Sequence, residues 1–323
     1  MTDLTVIIPL VVALGLLAYV SYIASARQSA GQLLTIAKQT WLVILLLTFP
    51  YLGARALVWY ELLQQLGIEV PWREMVVAFT SGEMTKSLPA GVYVQNILLG
   101  RLAHLRQHSV IRSTTATTAM LGLESFIALP VILVVGIPGA PWLRWTLLGV
   151  VFAWLVVLVL VWIAVRYRVH RIGSGTAAWR RRIVEAAREF LAAGADLLTW
   201  RTSKQLIPTA IYMLIYAVML DAIIRAVGVN TISFVQVLGI YAAMVLAVIL
   251  VPIPTEIGIT EVTGLGALVA YGVPRATAAI IILSFRLLAT GATILIAGTV
   301  LLIVRRQLRL NSMSTMVESE TQP

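Results

Sequence analysis

Two stretches of otherwise apolar sequence, Ser81-Gly82-Glu83-Met84-Thr85-Lys86-Ser87-Leu88-Pro89-Ala90-Gly91 and Pro252-Ile253-Pro254-Thr255-Glu256-Ile257-Gly258-Ile259-Thr260-Glu261, hold carboxylates, a lysine, prolines and glycines close together. Charges cost several kcal/mol in hydrocarbon, and helix breakers free backbone groups there. Such stretches therefore persist only against protein or a water-filled cavity. Glu83 and Lys86 stand three apart and share a face if that stretch is helical. Glu256 and Glu261, five apart, fall on different faces of any continuous helix, and Pro254 and Gly258 argue against continuity. A helix beginning after Gly258 would turn its free N–H groups and positive dipole end into a cavity, a site for a lipid phosphate. Pro89 and Gly91 would place a second helix start in the same way.

Arg286 has roughly ten residues of apolar helix on one side and more on the other, too deep to reach the headgroups by snorkelling. Its fork needs carboxylate, phosphate or carbonyl partners. Either it pairs with Glu261 as a structural ion pair, with Glu256 close by, or it contacts substrate. Glu124, in the middle of an apolar run, is expected to face the same interior, opposite Lys86 or Arg55. Asp221 and Arg225, four apart near a helix end, read as a structural pair. His104 and His108 have no third ligand nearby, and a metal site needs three or four. No nucleotide loop, zinc-protease helix or nucleophile motif occurs, so neither a cofactor nor a catalytic residue is expected. The chain also has no cysteine.

The elements that must carry these residues follow from composition. Hydrophobic residues make up 60% of the 323, and charged residues 12%. This balance excludes an ordinary soluble surface and predicts an all-α, polytopic integral membrane protein. Runs long enough to span about 30 Å of hydrocarbon occur at Leu4–Ala24, Trp41–Tyr60, Ser113–Gly136, Trp142–Val165, Leu206–Val227, Phe234–Ile253 and Ala276–Val304. With each broken stretch counted as one crossing, the N-terminus lies outside and the C-terminus inside. The first stretch then enters from the outer side and the second from the inner, as in an inverted repeat, although either can instead be a re-entrant hairpin.

The net charge of +10 raises the question of nucleic acid, but no recognition motif accompanies it, and the basic residues follow the membrane. Nine lie between Arg166 and Lys204, and Arg27, Lys38, Arg101, Arg106, Arg112, Arg305, Arg306 and Arg309 fall in other predicted inside loops, with Arg73, Arg144 and Arg275 outside. Residues 1–310 thus read as one transmembrane domain of the cell membrane. An inserted basic segment, 166–205, holds an amphipathic helix from Trp179 to Leu198 suited to anionic headgroups. Residues 311–323 read as a disordered tail.

Leu88-Pro89-Ala90-Gly91 with Arg101 downstream, the stretch Pro252 to Glu261, the following Leu268-Val269-Ala270-Tyr271-Gly272-Val273 and Ser284-Phe285-Arg286-Leu287 together resemble the transmembrane-region family of lysylphosphatidylglycerol synthases. The resemblance runs from about Trp41 to Arg305. It implies lipid handling or translocation, with Pro254, Gly258, Glu261 and Arg286 as functional positions. Thr255-Glu256-Ile257 replaces the family's Gly-rich turn, adding a carboxylate that suits a cationic or zwitterionic headgroup or a coupling proton. Larger members append an aminoacyl-transfer domain, and lysyl transfer is not expected of this chain.

The resulting expectation is a flippase-like protein whose broken helices enclose a polar cavity for the headgroup of a phospholipid or lipid-linked substrate. Arg286 and the two helix starts would hold phosphate, and Glu256 and Glu261 would hold amine, hydroxyl or proton. One alternative is a membrane-embedded enzyme acting on a lipid-linked substrate, with Glu83 or Glu261 as general base. Another is an accessory subunit that recruits a cytoplasmic enzyme through residues 166–205.

Overall fold

The computed structural model describes residues 26–86, 91–102, 107–138, 178–250 and 258–320, and of 26–30, 92, 107–109, 178–183, 249–250 and 305–320 the backbone alone. Pro89, Pro254 and Glu256 lie outside the described residues, as do the segments 4–24 and 142–165. The elements are α1 (Ala26–Gln65), α2 (Trp72–Thr85), a 3-10 turn (Gly91–Tyr93), α3 (Val94–Leu102), α4 (Gln107–Val135), α5 (Ala178–Asp196), α6 (Trp200–Lys204), α7 (Leu206–Ala226), α8 (Phe234–Leu250), α9 (Ile259–Ala270) and α10 (Arg275–Glu320). No strand occurs among the described residues. Stretches within α1, α4, α6–α7 and α10 are long and apolar enough to cross a membrane, as the hydropathy requires of a multi-pass protein.

The shorter helices α2 and α3, and α8 and α9, pair into hairpins. Around the 87–90 gap, Thr85 Oγ1 donates to Gly91 O at 3.1 Å, and Gly82 packs against the Gln95 side chain, so α2 and α3 run antiparallel. Around the 251–257 gap, Gly264 packs against Met244, and Gly239 against Tyr271, so α8 and α9 do the same. The described limbs on either side of each broken stretch are therefore the arms of a re-entrant hairpin rather than parts of a net crossing. Gly91 is required at the first: a Cβ there would lie 1.7 Å from Thr85 O.

The hairpins enter from opposite faces. Gln65, at the end of α1, accepts a hydrogen bond from Thr202 at 2.7 Å, and Arg112, near the start of α4, pairs with Asp196 at 2.8 Å. The end of α1, the start of α4 and the basic α5–α6 segment thus share one face. The first hairpin starts there too, since the Trp72 ring packs on Tyr60 at 5.5 Å. On the opposite face, the starts of α1 and α10 and the end of α7 meet around Thr35, Val227 and Thr277, and Tyr271 donates to Gly136 O at 2.6 Å.

This arrangement reverses the expected direction of the Trp41–Tyr60 span relative to the basic segment, and with it the faces from which the two hairpins enter. Arg73 joins the basic face rather than the outer loops. The expectation weighed Arg27 and Lys38 as inside charges. Two charges at the head of a 40-residue helix determine its direction less than the packing of that helix against α7 and α4. The last helix continues to Glu320, past residue 310 where a tail was expected. Between Gly298 and Pro323 the sequence has neither Gly nor Pro to end it.

Side chains on adjacent helices hold the first hairpin. Gln95 Nε2 donates to Thr117 Oγ1 at 2.9 Å, Trp59 Nε1 donates to the same oxygen at 3.1 Å, and Thr117 donates to Asn96 Oδ1 at 3.0 Å. All four residues are fully or almost fully buried. Hydrogen bonds of this kind between apolar helices are worth about 0.6–2 kcal/mol each in a membrane.

Candidate functional site

The two hairpins bring Glu83 and Lys86, and Thr260 and Glu261, to one level between the faces, where α1, α4 and α10 place their charges and α7 its tyrosines. Arg55 of α1 sits at the centre. Its Nε lies 3.2 Å from Glu83 Oε1 on the first hairpin, and its Nη1 donates to Glu124 Oε1 on α4 at 3.0 Å and to Tyr51 Oη at 3.1 Å. Glu124 Oε1 also accepts from Tyr212 at 2.8 Å. The Arg55 guanidinium lies 5.6 Å from the Tyr51 ring centroid and 5.3 Å from that of Tyr212, within cation–π range. Glu83 pairs with Arg55, 28 positions away, a partner that the local spacing did not offer. Of the two partners open to Glu124, the structure selects Arg55. Lys86 reaches Tyr51 Oη at 3.5 Å.

A second ion pair joins the other hairpin to α10. Arg286 Nε lies 3.1 Å from Glu261 Oε1, one of the two alternatives the sequence left open for it. The other oxygen of Glu261 accepts the Gly258 N–H at 2.5 Å and the Thr260 hydroxyl at 2.9 Å. Gly258 has φ +90°, a left-handed backbone that only glycine adopts without strain, and α9 begins at the next residue. The helix start is therefore where it was expected, and the N–H of the capping Gly258 just before it is committed to the chain's own carboxylate. Asp221 and Arg225 form the expected i,i+4 pair at 3.1 Å. Arg225 also donates to Ile232 O at 2.6 Å, which ties down the α7–α8 loop.

The two ion pairs differ in access. The side chains of Arg55 and Glu83 are 2% and 4% exposed, whereas Arg286 is 18% exposed. Arg286, Lys86, Tyr51 and Tyr216 line both a cavity and a smaller one that adjoins it. Arg55, Glu124, Glu261 and Tyr241 face the larger, while Glu83, Thr290 and Thr293 face the smaller. Of the residues selected from sequence, Arg55, Glu83, Lys86, Glu124, Glu261 and Arg286 converge on this space. Gly91 and Gly258 shape the hairpins that bound it. Among the described residues no group of three or more potential ligands could hold a metal.

Sequence reasoning missed the tyrosines. Tyr51 and Tyr216 lie 4.7 Å apart by ring centroid, and Tyr216 also meets Tyr241 at 5.4 Å and Phe285 at 5.0 Å. Their signal was spacing: Tyr51 precedes Arg55 by four residues and Tyr212 precedes Tyr216 by four, each pair on one helix face inside an apolar run.

Compared with protein families, residues 6–298 match the family described as "Lysylphosphatidylglycerol synthase TM region". No curated protein matches the chain.

Proposed function

Because the chain belongs to the lysylphosphatidylglycerol synthase transmembrane-region family, we propose that its mid-membrane cavity admits the polar headgroup of a membrane lipid and lets it pass between leaflets while the acyl chains stay in lipid. One observation carries this reading: two re-entrant hairpins from opposite faces end on a single charged cavity. A polar space bounded by hairpin ends, with Arg286 and Lys86 accessible in it, is where transporters built from broken helices hold substrate.

In this reading the headgroup phosphate lies against Arg286 and Lys86. Arg55 is the buried post to which the first hairpin is tied. Glu261 orients Arg286 and closes the start of α9. The basic α5–α6 face lies in the cytoplasm of the cell membrane, in keeping with the positive-inside rule. Work is done by binding and conformational exchange rather than by covalent chemistry, so the protein is read as a transporter and not as an enzyme.

The test is reconstitution of the purified protein into liposomes with fluorescent phospholipids, followed by quenching from the outer leaflet. Scrambling above that of empty vesicles, reduced at least tenfold in Arg286→Ala, is the expected result. A rate no greater than that of empty vesicles across a broad lipid panel defeats the reading. Turnover of a lipid-linked donor to a new product would replace it with the enzymatic alternative.

A further inference from the structure

The tyrosine cluster says more about the headgroup than the charges do. Phosphate recognition needs only the cations, yet one wall of the larger cavity is aromatic, with Tyr51, Tyr216, Tyr241 and Phe285 all lining it. The three ring contacts among them converge on Tyr216, which is only half-buried and so keeps ring surface toward the cavity. Tyr241 is more than nine-tenths buried, and among the described residues its hydroxyl makes no hydrogen bond. A buried phenol next to an open cavity normally has a partner. These features supply a flat apolar platform, a hydroxyl ready to donate or accept, and cations within the same space.

Two kinds of headgroup use aromatic walls. A quaternary ammonium sits within an aromatic cage, but here Arg55, Lys86 and Arg286 line the cavity. Of its acids, Glu124 and Glu261 already lie against Arg55 and Arg286. Glu83, in the adjoining cavity, lies against Arg55 as well, so each of the three described acids is already ion-paired and none is left to face an ammonium. A cyclic polyol joined to a phosphate meets every feature: the ring's C–H face lies on Tyr216, its hydroxyls reach Tyr241, and its phosphate reaches Arg286 and Lys86. We propose that the transported headgroup is a ring-bearing polyol phosphate, carried either by a polyprenyl-linked sugar phosphate or by an inositol phospholipid. This inference rests on the lipid-translocation reading and narrows its substrate class.

The experiment measures binding of four lipids to the purified full chain in nanodiscs by native mass spectrometry: polyprenyl-phosphate glucose, phosphatidylinositol, phosphatidylglycerol and phosphatidylcholine. The wild type, Tyr241→Phe and Tyr216→Leu are compared, with the thermal midpoint of each recorded. At least one ring-bearing lipid is expected to bind more tightly than phosphatidylglycerol, and which of the two does so identifies its source. Each substitution should reduce that preference by about 3- to 10-fold, the size of one hydrogen bond or one aromatic contact. Phosphatidylglycerol or phosphatidylcholine binding as tightly as both ring-bearing lipids overturns the ring inference and leaves translocation standing. A ring preference unchanged in both variants overturns the assignment to the tyrosines. Binding of none of the four overturns the translocation reading together with this one.

Discussion

Glu261 joins two tasks in one carboxylate: its Oε1 lies 3.1 Å from Arg286 Nε, while its Oε2 takes the Gly258 N–H that opens α9. The position of the deep arginine and the start of the second hairpin's return limb are therefore mechanically linked. Glu261→Gln keeps the shape and an acceptor but removes the charge. It should fold and yet translocate lipid at least tenfold more slowly, read in the liposome assay. Glu261→Ala removes both the cap and the counter-ion, and should also lower the thermal midpoint in detergent. Wild-type transport by Glu261→Gln would show that the ion pair is purely structural.

Arg55 lies buried between two carboxylates on different elements, so removing it alone strands both. Breaking such a buried pair costs about 3–5 kcal/mol, whereas replacing the whole group by apolar residues is often close to neutral. Arg55→Met should therefore destabilise the protein more than the triple variant Arg55→Met, Glu83→Leu, Glu124→Leu, as measured by thermal unfolding. The reverse order would mean that the three charges do not act as a unit.

Gly91 and Gly266 offer a matched test of the first hairpin. A methyl group at Gly91 would collide with the backbone oxygen of Thr85, whereas at Gly266 nothing lies within 4 Å. Gly91→Ala should unfold at lower temperature and lose transport. Gly266→Ala should stay within about 0.5 kcal/mol of wild type, as surface substitutions usually do.

The absence of native cysteine makes the topology directly testable. Single cysteines replacing Arg73 and Lys204 should react with a membrane-impermeant maleimide from one side of oriented vesicles. Those replacing Thr231 and Arg275 should react from the other. Labelling of Arg73→Cys together with Arg275→Cys would restore the first hairpin to a full crossing.

Much of the site was legible in the chain because charge inside hydrocarbon is conspicuous. Arg286 with Glu261, and Asp221 with Arg225, were readable from proximity, since a helix brings i,i+4 partners together and few acids stand near the deep arginine. Arg55 with Glu124 was open to choice, because its partners lie 69 positions apart and local spacing says nothing about them. Glu83 was matched to its neighbour Lys86 for the same reason. The tyrosines passed unremarked because a phenol is tolerated in an apolar run and becomes informative only when several meet.

Residue types and their order were enough for the all-α membrane class, the places where helices must break and the set of charges that needed company. These follow from the energy of transferring each residue into lipid, which acts position by position. Only the packed structure decided that the broken stretches double back, from which face each enters, and which acid answers which base. Those outcomes depend on how distant helices meet, through contacts such as Thr202 with Gln65 and Arg55 with Glu124, and no local pattern encodes them.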